Sequence, residues 1–233
     1  MISLSRRLKT AADLVRSGSV TADVGCDHGK LSAYLLDSGR AAFVYATDIR
    51  KQPLEKAAAL LSSERYRGKH ACVLTDGLNG LPADAVTDVI IAGLGDDVTE
   101  KIISEAPWLR DVSKRLILVP SSRHEKVRQF LAASGFTVKE EYAVSERRHV
   151  YTVMAAEYTG TIRCLGVREK WLGGIDASSE DGKEYIAVLE RRMEAVVRGI
   201  RDKTDPNYRE AAKVIEEIRL LGIDRDDKTK TDI

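Results

Sequence analysis

The chain has 233 residues, 43% hydrophobic and 31% charged, which supplies a sizeable core and excludes a disordered, fibrous or staple-dependent chain. Lys plus Arg number 37 against 36 Asp plus Glu, so any nucleic-acid surface has to be a local patch rather than a global field. No apolar run approaches the roughly eighteen residues of a membrane span, and MISLSRRLKTAADLV carries charge where a secretion signal needs apolar residues; a cytoplasmic protein is expected.

Residues 2–17 place Leu4, Leu8, Ala11, Ala12 and Val15 on one helical face, which predicts an amphipathic helix ending at Ser17-Gly18. From Val20 to Lys126, short β-branched runs (SVTADVG, FVYATD, HACVLTD, TDVIIAG, KRLILVP) alternate with helical stretches. That alternation predicts parallel strands joined by helical crossovers, a three-layer α/β fold. FTVKEEYAV and HVYTVMAAEY then follow one another across the polar turn Ser145 to Arg148, which predicts an antiparallel pair at one side of the sheet. The whole is expected to be a Rossmann-like, seven-stranded α/β unit over residues 1–159. Beyond Gly160 the strand signal stops. Tyr185, Leu189, Met193, Val196 and Ile200 form one stripe, Asp205-Pro206 offers an N-cap with proline at the first helical position, and Tyr208, Ala211, Ile215 and Ile218 form a second stripe. A helical hairpin over 160–223 is expected, followed by a charged tail, 224–233, without apolar anchors.

Cys26, Cys72 and Cys164 lie far apart without a C-x-x-C, and the histidines show no ligand spacing, so neither a disulfide framework nor a structural metal is expected. Cys26 reads as a small buried residue after a strand. The chemistry concentrates in Thr21-Ala-Asp-Val-Gly-Cys-Asp-His-Gly-Lys30, where Gly25 and Gly29 permit close approach to the backbone at the end of the first parallel strand. Asp27 sits where a dinucleotide site would hold phosphate, and like-charge repulsion argues for a ligand with positive groups instead. Asp48 ends the second strand, where a carboxylate accepts both hydroxyls of a ribose, and Asp76-Gly77 follows the third, where an acid accepts from an adenine amino group. Three acids in that order describe a pocket for S-adenosylmethionine, whose sulfonium and ammonium charges suit carboxylates.

The chain resembles the bacterial tRNA adenine-N1 methyltransferases that modify adenine 22. The resemblance rests on Leu4-Ser-Arg-Arg-Leu8, Asp23-Val-Gly-Cys-Asp-His28, Ala46-Thr-Asp48 with Pro53-Leu54 and Ala57, Asp76-Gly77-Leu78, and Ile90-Ile-Ala-Gly-Leu-Gly95, in order over residues 1 to about 158. It implies a class I methyltransferase with a C-terminal coiled-coil domain. Asp23, Gly25, Asp27 and His28 then contact or shape the methionine end of the cofactor, Asp48 holds the ribose, and Asp76 with Gly77 faces the adenine. Gly93, Leu94 and Gly95 line the place where the target base meets the methyl group, with Asp27 as the carboxylate near the reacting atoms. His28 reads equally well as a turn residue. The family pattern continues with Met-Gly-Gly where this chain has Leu94-Gly95-Asp96-Asp97, which is expected to set two carboxylates beside the substrate entrance. The RNA-binding candidates are Arg6, Arg7 and Lys9; Arg123, Lys126 and Arg128; Arg147 and Arg148; and Arg191, Arg192, Arg198 and Arg201. Trp108 and Trp171 read as packing residues. The alternative to tRNA methylation is a protein that keeps the cofactor pocket but takes another acceptor, or binds RNA or a partner without transfer.

Overall fold

The protein is described by a computed structural model over residues 2–222, and the expected tail 224–233 lies outside the described residues. Seven strands form one sheet: β1 (Ser19–Val24), β2 (Ala41–Asp48), β3 (His70–Leu74), β4 (Asp88–Ala92), β5 (Arg115–Val119), β6 (Phe136–Glu146) and β7 (His149–Tyr158). Their order is β3-β2-β1-β4-β5-β7-β6, with β1 to β5 parallel and β7 antiparallel to both β5 and β6. The order reverses between β1 and β4, which opens a crevice at the carboxyl ends of those strands, where open α/β sheets bind ligands.

Side chains alternate between two faces that are both covered by helices, which explains the continuous apolar runs of β4 and β5. Val89 and Ile91 of β4, with Leu116 and Leu118 of β5, pack beneath α4 (Asp96–Ser104) and α5 (His124–Ala133). Ile90 and Ile117 face the other way and pack with Ala11 and Ala12 of α1 (Arg6–Asp13) and Leu31 and Leu35 of α2 (Lys30–Asp37). A third helix, α3 (Lys51–Leu61), covers the β2 and β3 side with Leu54, Ala57 and Leu61. The first helix is shorter than the predicted 2–17. Its end is set at the sheet, because the Arg16 amide donates to Asp88 Oδ2 at 3.0 Å rather than continuing the helical ladder.

The C-terminal residues form α6 (Val167–Trp171), α7 (Glu180–Gly199) and α8 (Pro206–Leu220). Ser179 caps α7 by accepting from the Gly182 amide, and Asp205 caps α8 by accepting from the Asn207 amide at 2.7 Å, with Pro206 next in the chain as the sequence predicts. Tyr185, Leu189 and Met193 meet Ala211, Val214, Ile215 and Ile218 along the hairpin seam, and Trp171 and Leu172 close its end. This module is joined to the sheet unit by a buried polar network. Arg128 of α5, 2% exposed, pairs with Glu141 of β6 at 2.7 Å and donates to the carbonyls of Lys170 and Trp171. Arg128 is therefore a structural cation and not the RNA contact expected of it.

Candidate active site

The turn after β1 is bent by three residues with positive φ: Gly25 at 71°, Asp27 at 51° and Gly29 at 69°. The two glycines serve different ends. Gly25 lines a cavity, where a Cβ would stand 3.6 Å from Leu94. At Gly29 a Cβ would come within 2.8 Å of the Ala57 Cβ, so its smallness lets α2 start against α3 and has nothing to do with a ligand.

The cavity, about 440 Å³, brings together Gly25, Asp48, Asp76, Gly77 and Leu94 from four chain segments. Asp48 is 3% exposed, and its two oxygens accept from the amides of Arg50 at 2.8 Å and Asp27 at 3.3 Å. A carboxylate has about four lone-pair sites, so two stay open for a diol. Asp76 accepts from Lys101 Nζ at 2.7 Å through Oδ2, which holds the ammonium above its usual range and leaves Oδ1 for an amino group. Sequence reasoning missed Ile49, Val98 and Lys101. Ile49 is 65% and Val98 47% exposed, apolar walls left open at the cavity mouth. Only Ile49, adjacent to Asp48, carried a positional signal.

Asp23 lies beneath this cavity rather than in its wall. Ser32 Oγ donates to its Oδ2 at 2.6 Å, and burial, with a smaller push from the Asp48 charge, raises its carboxyl to about 6. A folded-state value above the ordinary 3.8 means the native protein holds an extra proton between the two. The associated stabilisation is full at the acid end and is lost as pH rises through about 6. Wild type is therefore expected to lose stability relative to Asp23→Asn as pH rises through that value, measured by urea unfolding on either side of it; parallel pH profiles would contradict this.

Asp27 and His28 are exposed and neither lines the cavity; Asp27 Oδ2 and His28 Nδ1 are 2.6 Å apart, and Lys56 Nζ is 3.3 Å from the other ring nitrogen. Burial of Cys26 pushes its thiol far up, which suits a packing residue. Gly93 faces a second cleft, and Gly95 precedes α4 as its N-cap.

The placement of Asp96 corrects the sequence expectation. It is 1% exposed in the first turn of α4, 2.8 Å from Arg123 Nε and 3.8 Å from Lys126 Nζ. The pairing works through charge, since neither carboxylate oxygen receives an aligned hydrogen bond. Only Asp97 faces outward, 3.1 Å from Arg123 Nη2. Both acids favour the helix start and clamp α5 to α4. The other basic candidates are mostly engaged as well: Arg6 with Asp181, Arg7 with Glu146, Arg191 with Glu184 and Arg198 with Glu194. Arg147, in the β6–β7 turn with φ 59°, has no ion pair among the described residues.

Residues 4–154 match the family described as a methyltransferase domain. The chain belongs to that family. This methyltransferase is 32% identical over 161 residues to a Mycoplasma pneumoniae protein described provisionally as a tRNA methyltransferase, a match spanning 67% of this chain and 72% of that one. It is 26% identical over 156 residues to the tRNA (adenine(22)-N(1))-methyltransferase of Bacillus subtilis, spanning 67% and 66%. Its fold is shared with M. capricolum TrmK in complex with S-adenosylhomocysteine, at TM-score 0.77 and 22% identity over 94% and 97% of the chains. The residues of the cavity fit S-adenosylmethionine: a buried carboxylate for the ribose, a carboxylate oxygen for the adenine amino group, and exposed aliphatic walls for the ring.

Proposed function

We propose that this methyltransferase modifies N1 of adenine 22 in tRNA, in the cytoplasm, with residues 1–159 as the catalytic unit and 160–223 as a helical unit that helps hold the RNA. The observation that carries this reading is the Gly93-Leu94 turn at the switch point of the sheet. Leu94 walls the cofactor cavity, while Gly93 lines a separate cleft of about 470 Å³ between the sheet and the helical module. Two ligands can thus approach one turn from opposite sides. The Bacillus subtilis relative supports the choice of nucleotide.

S-adenosylmethionine supplies a methyl group on a positively charged sulfur. Adenine N1 carries an in-plane lone pair, so the new N–C bond forms as the C–S bond breaks, and orientation matters more than a strong base. Asp48 and Asp76 fix the nucleoside half of the cofactor, Gly93, Leu94 and Gly95 shape the meeting point, and Asp27 places negative charge near the cation that develops. His28 orients the Asp27 carboxylate. N1 lies on the Watson–Crick edge, so the base has to enter unpaired or flipped.

Purified protein incubated with S-adenosylmethionine and unmodified tRNA is expected to yield 1-methyladenosine, measured by mass spectrometry of the digested nucleosides and mapped to position 22. Methylation of a different nucleoside, or none, would overturn the substrate assignment.

A further inference from the structure

We infer that Tyr151 is a stacking platform for an unpaired RNA base, covered by Arg7 in the free protein; the inference rests on the RNA substrate proposed above. Tyr151 lies on β7 in the cleft that begins at Gly93. The cations lining that cleft come from three separate elements: Arg7 from α1, Arg123 from the start of α5 and Arg192 from α7. Among the described residues its only acidic lining residue is Glu125. Each cation is shared with an acid, Arg7 with Glu146, Arg123 with Asp96 and Asp97, and Arg192 with Glu125, so an RNA phosphate binds here by drawing them from these partners.

Tyr151 has no packing reason to be aromatic. It is half-buried, belongs to none of the apolar clusters, and its hydroxyl makes no hydrogen bond among the described residues. Two groups attend its ring: the Arg7 guanidinium, 4.4 Å from the centroid, and His149, tilted at 6.2 Å. An aromatic face next to a guanidinium is the arrangement on which unstacked RNA bases are held. Arg7 is only loosely anchored, with Glu146 3.8 Å from its Nη1, and Arg192 stands 3.4 Å from Glu125 and is half exposed. A base entering over Tyr151 takes the face that Arg7 now covers, and Arg7 then meets the adjoining phosphate. Trp171, by contrast, is 8% exposed and packs within the helical module.

The test uses the full chain with two probes, unmodified tRNA and an unstructured oligoadenylate. Tyr151→Leu keeps an apolar side chain of similar reach but removes the π face, and is expected to weaken binding of both RNAs by about tenfold or more, the worth of one stacked base. Tyr151→Phe is expected to bind both within about twofold of wild type, since it keeps the ring. Cofactor affinity, measured in parallel, should not move in either variant. Tyr151→Leu binding both RNAs like wild type would overturn the inference and leave Tyr151 a seat for α1. If wild type makes no 1-methyladenosine in tRNA while oligoadenylate binding still falls in Tyr151→Leu, the substrate assignment fails and the platform stands. If wild type binds neither RNA, both fall.

Discussion

Replacing Arg128 with Met is expected to cost about 3–5 kcal/mol of folding stability. The pair it breaks is shut away from water, with side-chain exposures of 2% for Arg128 and 1% for Glu141. Burial alone disfavours the guanidinium charge, but Glu141 and Tyr185 outweigh it and hold Arg128 above its usual range. Nε donates to Glu141 Oε1 and Nη2 stands 2.7 Å from the same oxygen, Nη1 donates to the Lys170 and Trp171 carbonyls, and the Tyr185 hydroxyl, which itself donates to Trp171, accepts from Nη1 and Nη2. The space is close-fitted too, since a Cβ on Gly173 would strike both partners. Met fills similar volume, so the loss comes from a stranded carboxylate and not from a cavity. A double variant, Arg128→Met with Glu141→Leu, is accordingly expected to recover most of the loss in urea unfolding. A single variant within about 1 kcal/mol of wild type would mean that water reaches Glu141 and that the helical module is not held by this network.

The sheet was legible because its signals are local and repeated: β-branched runs of strand length, helical stretches between them, and acids at three strand ends. The hairpin was legible from its stripes and from Asp205-Pro206. What stayed hidden depends on contacts between distant residues. Nothing in HEKVRQFLAASG marks Arg128 as buried, because its partner lies on β6 and its carbonyl acceptors on α6. Asp96 and Asp97 look alike in sequence, yet the helix start turns one inward to Arg123 and the other out to solvent. Lys101 reaches the cofactor cavity only because α4 passes over Asp76. Arg7, Arg123 and Arg192 read as separate charge clusters, and only the fold makes them neighbours of one cleft.

Asp48→Ala is expected to weaken S-adenosylmethionine by about 1.5–3 kcal/mol, roughly ten- to a hundredfold in calorimetry, the range for hydrogen bonds to a charged group. The carboxylate does two jobs that the experiment has to separate. It accepts from the amides of Asp27 and Arg50, which shapes the turn, and it presents its remaining lone pairs to the cavity, where a ribose fits. A cofactor analogue lacking the 2′-hydroxyl resolves them. If the ribose contact carries the affinity, wild type loses strongly on the deoxy analogue and Asp48→Ala loses little more, so the two losses fail to add. If the turn carries it, the losses add. Removing Asp48 also removes the smaller of the two influences that raise Asp23, so proton uptake by Asp23 should shift to lower pH in the variant. Wild-type protein that binds NAD and ignores S-adenosylmethionine would overturn the assignment of the cavity, because an acid-lined turn after β1 is the feature that repels a pyrophosphate and accepts a cation.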